Sequence, residues 1–353
     1  MHNGPDRKGG IQQSKGTTMH ERDWLVPSQI LTLVMGSMAL LLMPTVSGLL
    51  PALSILPAWM AAATLLACLY GFAWMMLHRV KRSAAEIAAF ASNQKRKLVF
   101  VALVVFLAGL NMIAFMWVKP LLNYLIPFWA DPMLANLDRI LFLGHEPWQT
   151  LDWLNFPTAG VLYHPVWFVV MIGSLLMAAF ARSSPTKSAV LLSYFVLWSI
   201  VGPLIHSLLP AAGPIFFERM GYGLRFEGLD GGPESAAVGN YLWSIYASES
   251  FGAGSGISAM PSMHVTMSSW VVLVFYVYAR RWLAFALTAW LMIFLLSISL
   301  GWHYAVDGVV GTLAAMTCYL ALLGVFRMRA AGRFRPGVGV SAQNVPAVEP
   351  RRA

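Results

Sequence analysis

The chain has 353 residues, 58% of them hydrophobic and only 11% charged. A soluble domain carries charge on about a quarter of its residues, so a soluble architecture is excluded for most of this length. The formal net charge of +9 raises nucleic acid as a partner, but the placement of the basic residues removes that reading.

A helix that crosses a bilayer needs roughly 20 mostly apolar residues. In chain order, such runs lie near 30–50, 52–77, 98–118, 159–181, 188–209, 263–279, 282–300 and 305–326. The expected fold class is therefore all-α: a polytopic integral membrane bundle of about eight transmembrane helices. Pro51 and Pro57 crowd the junction of the first two runs. Residues 1–28 are polar and read as a disordered tail, and 327–353 read as a second, basic one. Between them, 29–118 form N-terminal spans and 119–326 form the domain in which the chemistry gathers. The first apolar run is too long for a signal h-region and reads as a retained anchor.

With eight spans and both termini in the cytoplasm, twenty of the 24 Lys and Arg fall on the inner face. The outer face keeps Lys119, Arg139, Arg219 and Arg225. This is the positive-inside asymmetry; the charge reports topology and anionic lipid, not nucleic acid. Cys68 and Cys318 fall inside spans, so no disulfide framework, zinc site or other cofactor is expected.

Two long segments remain on the outer face. Residues 119–158 mix Trp129, Trp148 and Trp153 with acidic and basic residues, which predicts short interfacial helices. Residues 210–261 carry aromatics and then Gly252–Gly256, a pattern that predicts a lid with a flexible hinge.

His303 and Asp307 stand four residues apart at the mouth of the last run, and His264 opens the sixth. On a helix, residues four apart share a face, so the Asp307 carboxylate can hold the His303 imidazole. Ionisable groups at the edge of hydrocarbon are functional candidates. All three fall on the outer face of a topology drawn from Lys and Arg alone. The chemistry this predicts is nucleophilic phosphoryl transfer: His303 attacks phosphorus, Asp307 fixes its tautomer, and His264 supplies the leaving group's proton. Arg139 and Arg219 are the candidate phosphate-binding cations, while Lys119 and Arg225 read as interfacial anchors. Ser262 and free N–H groups at the sixth span's N-terminus can hold another phosphate oxygen. His78, His164 and His206 read as packed helix-contact residues.

Pro261-Ser262-Met263-His264, followed one hairpin later by His303-Tyr304-Ala305-Val306-Asp307, resembles the type-2 phosphatidic acid phosphatase superfamily. Leu209-Pro210-Ala211-Ala212-Gly213-Pro214 resembles an element of its inositolphosphorylceramide synthase and sphingomyelin synthase-like branch, which adds Gly213 and Pro214 to the expected substrate contacts. Asp138-Arg139 with Gly144-His145-Glu146-Pro147 is similar more loosely. The resemblance covers roughly residues 130–326 and implies that His303 is the nucleophile, Asp307 its partner and His264 the acid–base group. Two departures stand out. No Arg-Pro follows Lys119 at the usual spacing, and Leu296–Leu300 lacks the Ser-Arg that ordinarily precedes the nucleophile.

The leading expectation is a membrane enzyme that moves a phosphoryl or phospho-headgroup on an outer-leaflet phospholipid or sphingolipid, in a bacterial inner membrane with its site toward the periplasm, or in an organelle with its site toward the lumen. Water as acceptor makes it a lipid phosphatase; a lipid hydroxyl makes it a phosphotransferase. A bis-histidine haem carrier and a lipid transporter with inverted repeats are the alternatives from other classes. Oligomeric state is not legible from the chain.

Overall fold

The computed structural model describes residues 7–43, 49–81 and 83–333. In hydrocarbon every backbone N–H and C=O needs a partner within the protein, so apolar runs become helices. No strand occurs among the described residues. The helices that matter here are α1 (Arg7–Leu42), α2 (Ile55–Leu77), α3 (Ser83–Asn93), α4 (Lys95–Leu125), α5 (Asp131–Leu141), α6 (Ala159–Phe180), α7 (Pro185–Leu208), α8 (Gly232–Ala247), α9 (Met263–Tyr278), α10 (Leu283–Ser299) and α11 (Ala305–Arg333).

Among the described residues, seven helical segments are long and apolar enough to cross a membrane. The chain is a polytopic helical membrane bundle. The sixth expected span, α9, has only 16 residues, about 24 Å of helix against about 30 Å of hydrocarbon. Its N-terminus starts at a buried Ser262, so the helix begins inside the end of the bundle rather than at its rim.

The N-terminal span differs from the sequence expectation. Helix α1 starts at Arg7, within the stretch expected to be a disordered tail. Its polar residues have partners that hydropathy does not register. Glu21 pairs with the buried Lys187 at 2.8 Å and accepts from Trp24 Nε1 at 2.7 Å. Ser28 and Thr32 donate back to Trp24 O and Ser28 O at 2.8 and 2.9 Å. At the other end α11 continues to Arg333, past the expected end at 326. The expected tails at 1–6 and 334–353 lie outside the described residues.

Helix α4 also overruns its expected end at 118. Its last turns carry Lys119, Pro120 and Asn123. Asn123 is buried, yet both ends of its amide are used: Nδ2 donates to Ile257 O at 2.7 Å, and Oδ1 accepts from Ile257 N at 2.6 Å. A satisfied amide costs little inside a bundle.

Helix α5 is one of the expected interfacial helices. Its buried residues are Asp131, Leu134, Ala135 and Asp138, the spacing of one helical face. Arg139 lies off that face and is exposed.

Helix α9 packs against α6, α10 and α11. A Cβ on Gly311 would collide with the Thr266 side chain. The absent side chain lets α11 lie close against α9, as small residues do in membrane bundles. That approach brings the loop before α11 to the start of α9.

Candidate active site

Ser262 caps α9, its hydroxyl accepting from Val265 N at 3.4 Å. His264 therefore sits in the first turn. Its ring is stacked on Tyr163, centroids 4.3 Å apart and planes 23° apart, and meets Trp167 at 4.3 Å. Trp167 Nε1 donates to His264 O at 3.0 Å. Helix α6 thus fixes both the backbone and the ring of this histidine.

His303 stands in the turn between α10 and α11. Its N–H donates to Ser297 O at 3.0 Å. Its ring Nδ1 lies 2.7 Å from the carbonyl oxygen of Ala259. A carbonyl only accepts, so Nδ1 carries the proton and Nε2 keeps its lone pair. The His264 and His303 ring centroids are 6.5 Å apart.

Asp307 is fully buried, but it does not hold the imidazole as the sequence predicts. Its Oδ2 is 3.6 Å from His303 Nδ1, beyond hydrogen-bond length, and accepts instead from Tyr304 N at 2.9 Å. The four-residue spacing misleads because His303 precedes the helix. Asp307 occupies the first turn of α11 and reaches back to cap it. It still places a carboxylate beside the ring, and its other oxygen has no hydrogen-bond partner.

The surrounding loops are tied by the two buried acids of α5. Asp131 accepts from Ala212 N at 2.8 Å, Gly213 N at 2.7 Å and Tyr304 Oη at 2.9 Å. Asp138 accepts from Ala305 N at 2.6 Å and Val306 N at 3.0 Å, the open N–H groups that start α11. Gly213 has φ +102, and a Cβ there would stand 2.5 Å from Trp302 O. Only glycine allows the 209–214 segment to pass so near the histidine turn. Ile215 N then bonds Gly301 O at 2.9 Å, and Ala259 N bonds Ala211 O at 2.8 Å. Pro214 and His303 line one narrow crevice with Tyr304 and Phe226.

His264, His303, Asp307, Ser262, Gly213 and Pro214 are thus brought together. Ser262 is engaged structurally: its N–H reaches Asp307 O at 3.3 Å as its hydroxyl caps α9. Arg139 and Arg219 do not join the group. Arg139 is exposed and bonds Gly144 O at 3.1 Å. Arg219 is exposed, bonds Asn240 Oδ1 at 2.6 Å and lies over the Trp243 ring. Arg225 is occupied by Glu146, Asn136 and Ala135.

The cation that does face the site is Lys119, set aside as an anchor on sequence grounds. It is half-buried near the end of α4, and its charge acts on His206, His264 and His303. The extension of α4 beyond 118 hides this from a hydropathy reading. His206 proves to be a strut. Asn123 Nδ2 lies 3.2 Å from its Nε2, and Ser258 Oγ lies 3.1 Å from its Nδ1. Because the Asn123 amide nitrogen only donates, His206 is neutral with its proton on Nδ1. It holds the strand of chain that delivers the Ala259 carbonyl. His164, also set aside, has its ring 5.3 Å from that of His264.

Burial pushes the His303 imidazole down to about 3; the Ala259 carbonyl opposes this and the Lys119 charge adds to it. The ring is therefore neutral throughout the physiological range. Burial pushes Asp138 up to about 6 despite its two backbone donors, and raises Asp131 as well.

Two histidines and a carboxylate thus lie together at one end of a membrane bundle, with a half-buried lysine whose charge reaches both histidines. The sequence model of the PAP2 superfamily matches residues 132–321, more than half of the chain, and the protein belongs to that superfamily. Membership gives it a membrane lipid phosphatase or phosphotransferase kind of function. No curated protein and no solved structure matches the chain.

Proposed function

We propose that the protein transfers a phosphoryl or phospho-headgroup from an outer-leaflet lipid through a phosphohistidine at His303. The observation that carries this is the hydrogen bond from His303 Nδ1 to Ala259 O at 2.7 Å. It commits one nitrogen as donor and leaves the Nε2 lone pair free at a buried ring. In the first half-reaction Nε2 bonds to phosphorus and the phosphorus–oxygen bond to the leaving group breaks. His264 gives the departing oxygen its proton. Asp307, at 3.6 Å, stabilises the positive charge that develops on the His303 ring. Lys119 takes the part first assigned to Arg139 and Arg219, neutralising the phosphate oxygens.

In the second half-reaction an acceptor oxygen bonds to phosphorus, the phosphorus–Nε2 bond breaks, and His264 recovers a proton from the acceptor. A phosphotransferase of the inositolphosphorylceramide and sphingomyelin synthase-like kind is the reading favoured by the 209–214 element, with a simple lipid phosphatase as the second. The positive-inside pattern supports a site on the periplasmic or lumenal face of the membrane. Phosphatidate, phosphatidylinositol and ceramide-based donors, radiolabelled at phosphorus in detergent, test both readings with and without added diacylglycerol or ceramide. Label in a new lipid supports transfer. Free phosphate alone sinks the transferase, and no turnover dependent on His303 sinks the proposal altogether.

A further inference from the structure

The recess contains a third histidine that the two-histidine scheme leaves unused. His164 lies in a π-helical turn, Leu162–Val166, at the start of α6, and such turns inside helices often mark functional sites. Its ring stands edge-on to His264 at 5.3 Å and to Trp302 at 5.7 Å. It interacts electrostatically with both His264 and His303. Its Nε2 is buried and has no hydrogen-bond partner, and the same is true of Trp302 Nε1. A buried nitrogen left unpaired is costly, so two of them beside the histidine pair suit a polar ligand.

The same turn is open to lipid. Val161, Val166 and Val169 on α6 are each 42% exposed, in a helix long and apolar enough to cross the membrane. One stretch of chain therefore faces hydrocarbon on one side and the recess on the other.

Resting on the phosphohistidine reading above, we infer that His164 and Trp302 form the acceptor subsite, in which His164 Nε2 accepts a hydrogen bond from the hydroxyl that resolves the intermediate. That hydroxyl belongs to water or to a membrane lipid alcohol. The hydrogen bond aims the oxygen at phosphorus. The new oxygen–phosphorus bond forms as the bond to His303 Nε2 breaks, and the hydroxyl's single proton, taken up on His164 Nε2, is handed on to His264, which lost its own to the leaving group. His164 is thus needed for the second half-reaction and dispensable for the first.

The test uses the full chain in detergent with phosphatidate carrying ³²P. Acid-labile protein label, present in wild type and absent in His303→Ala, establishes the intermediate. If wild type takes no such label, the phosphohistidine reading fails and this inference falls with it. With the label established, His164→Phe, which keeps a ring in the packing, is expected to reach wild-type labelling but to lose it about 100-fold more slowly, the low end of what one positioned acid–base group contributes. His164→Gln, whose amide oxygen can accept the same bond, is expected to recover part of that loss. Slower decay into water alone identifies water as the ligand, and slower decay only with added diacylglycerol identifies a lipid hydroxyl. Unchanged decay in both arms, or a labelling rate that falls as much as the decay, overturns the assignment. Full labelling in a variant also reports that it is folded.

Discussion

Tyr304 donates its phenolic proton to Asp131 Oδ1 at 2.9 Å, across 173 residues of sequence. This bond joins the interfacial helix α5 to the turn that holds His303. The same carboxylate binds Ala212 N and Gly213 N, so one buried acid fixes three strands of chain around the recess. Tyr304→Phe removes one bond of three and is expected to cost about 1 kcal/mol. Asp131→Ala leaves two buried N–H groups unpaired and is expected to cost more and to abolish most turnover. Thermal unfolding in detergent, with a double-mutant cycle on the pair, measures the coupling. Additive effects would deny the link.

Lys119 is a half-buried cation whose charge reaches His264 and His303. Lys119→Met keeps the length and removes the charge. A charge-assisted hydrogen bond is worth about 1.5–3 kcal/mol, so kcat/KM is expected to fall about 10–100-fold, with unfolding little changed. Arg139→Ala is expected to leave kcat/KM within a factor of about two, because its side chain is exposed and bonds only a local carbonyl. Steady-state kinetics on a labelled lipid phosphate separates the two, and equal losses would restore Arg139 to the site.

The low pKa of His303 sets a direction for pH. Its imidazole titrates at about 3 in the folded protein, against 6.5 for the ordinary group. Between those values the unfolded chain binds more protons, so stability rises with pH. This contribution is complete above 6.5 and is lost as pH falls toward about 3. The unfolding midpoint is expected to drop on acidification through that window, and less steeply in His303→Gln. For the same reason protonation of His303 does not produce an acid limb in kcat/KM near neutrality. A limb there that moves with substitutions at Lys119 or Ala259 would contradict the assignment.

Gly213→Ala places a methyl group against Trp302 O at a φ of +102. Strain of this kind costs about 1–3 kcal/mol, and relief requires the histidine turn to shift. Activity is expected to fall more than stability, because sub-ångström misplacement of His303 is enough to lose alignment. A fully active Gly213→Ala protein would show that the close approach is not needed.

Asp307 Oδ2 stands 3.6 Å from His303 Nδ1, too far for a hydrogen bond, so under the proposed mechanism it acts on the developing imidazolium through its charge alone. Asp307→Asn keeps the shape, removes the charge and is expected to lower kcat about 10–1000-fold with KM little changed, as for other stabilisers of a developing charge. Steady-state kinetics on the same labelled lipid phosphate measures the split. A loss confined to KM would move Asp307 from chemistry to substrate binding.

Apolar run length determined the helical membrane bundle, because backbone in hydrocarbon has few alternatives. Basic-residue placement supplied a sidedness that sorts His264, His303 and Asp307 to one end, and these do converge. Tertiary structure alone decided which polar groups are paired. Glu21 meets Lys187 across the bundle, so α1 starts earlier than hydropathy allows. Asn123 meets Ile257, so α4 runs on and carries Lys119 inward. The tautomer of His303 is set by a carbonyl 44 positions away rather than by the acid four positions on. Local spacing encodes which residues share a helix face, whereas a buried charge or imidazole is defined by partners that only folding brings within reach.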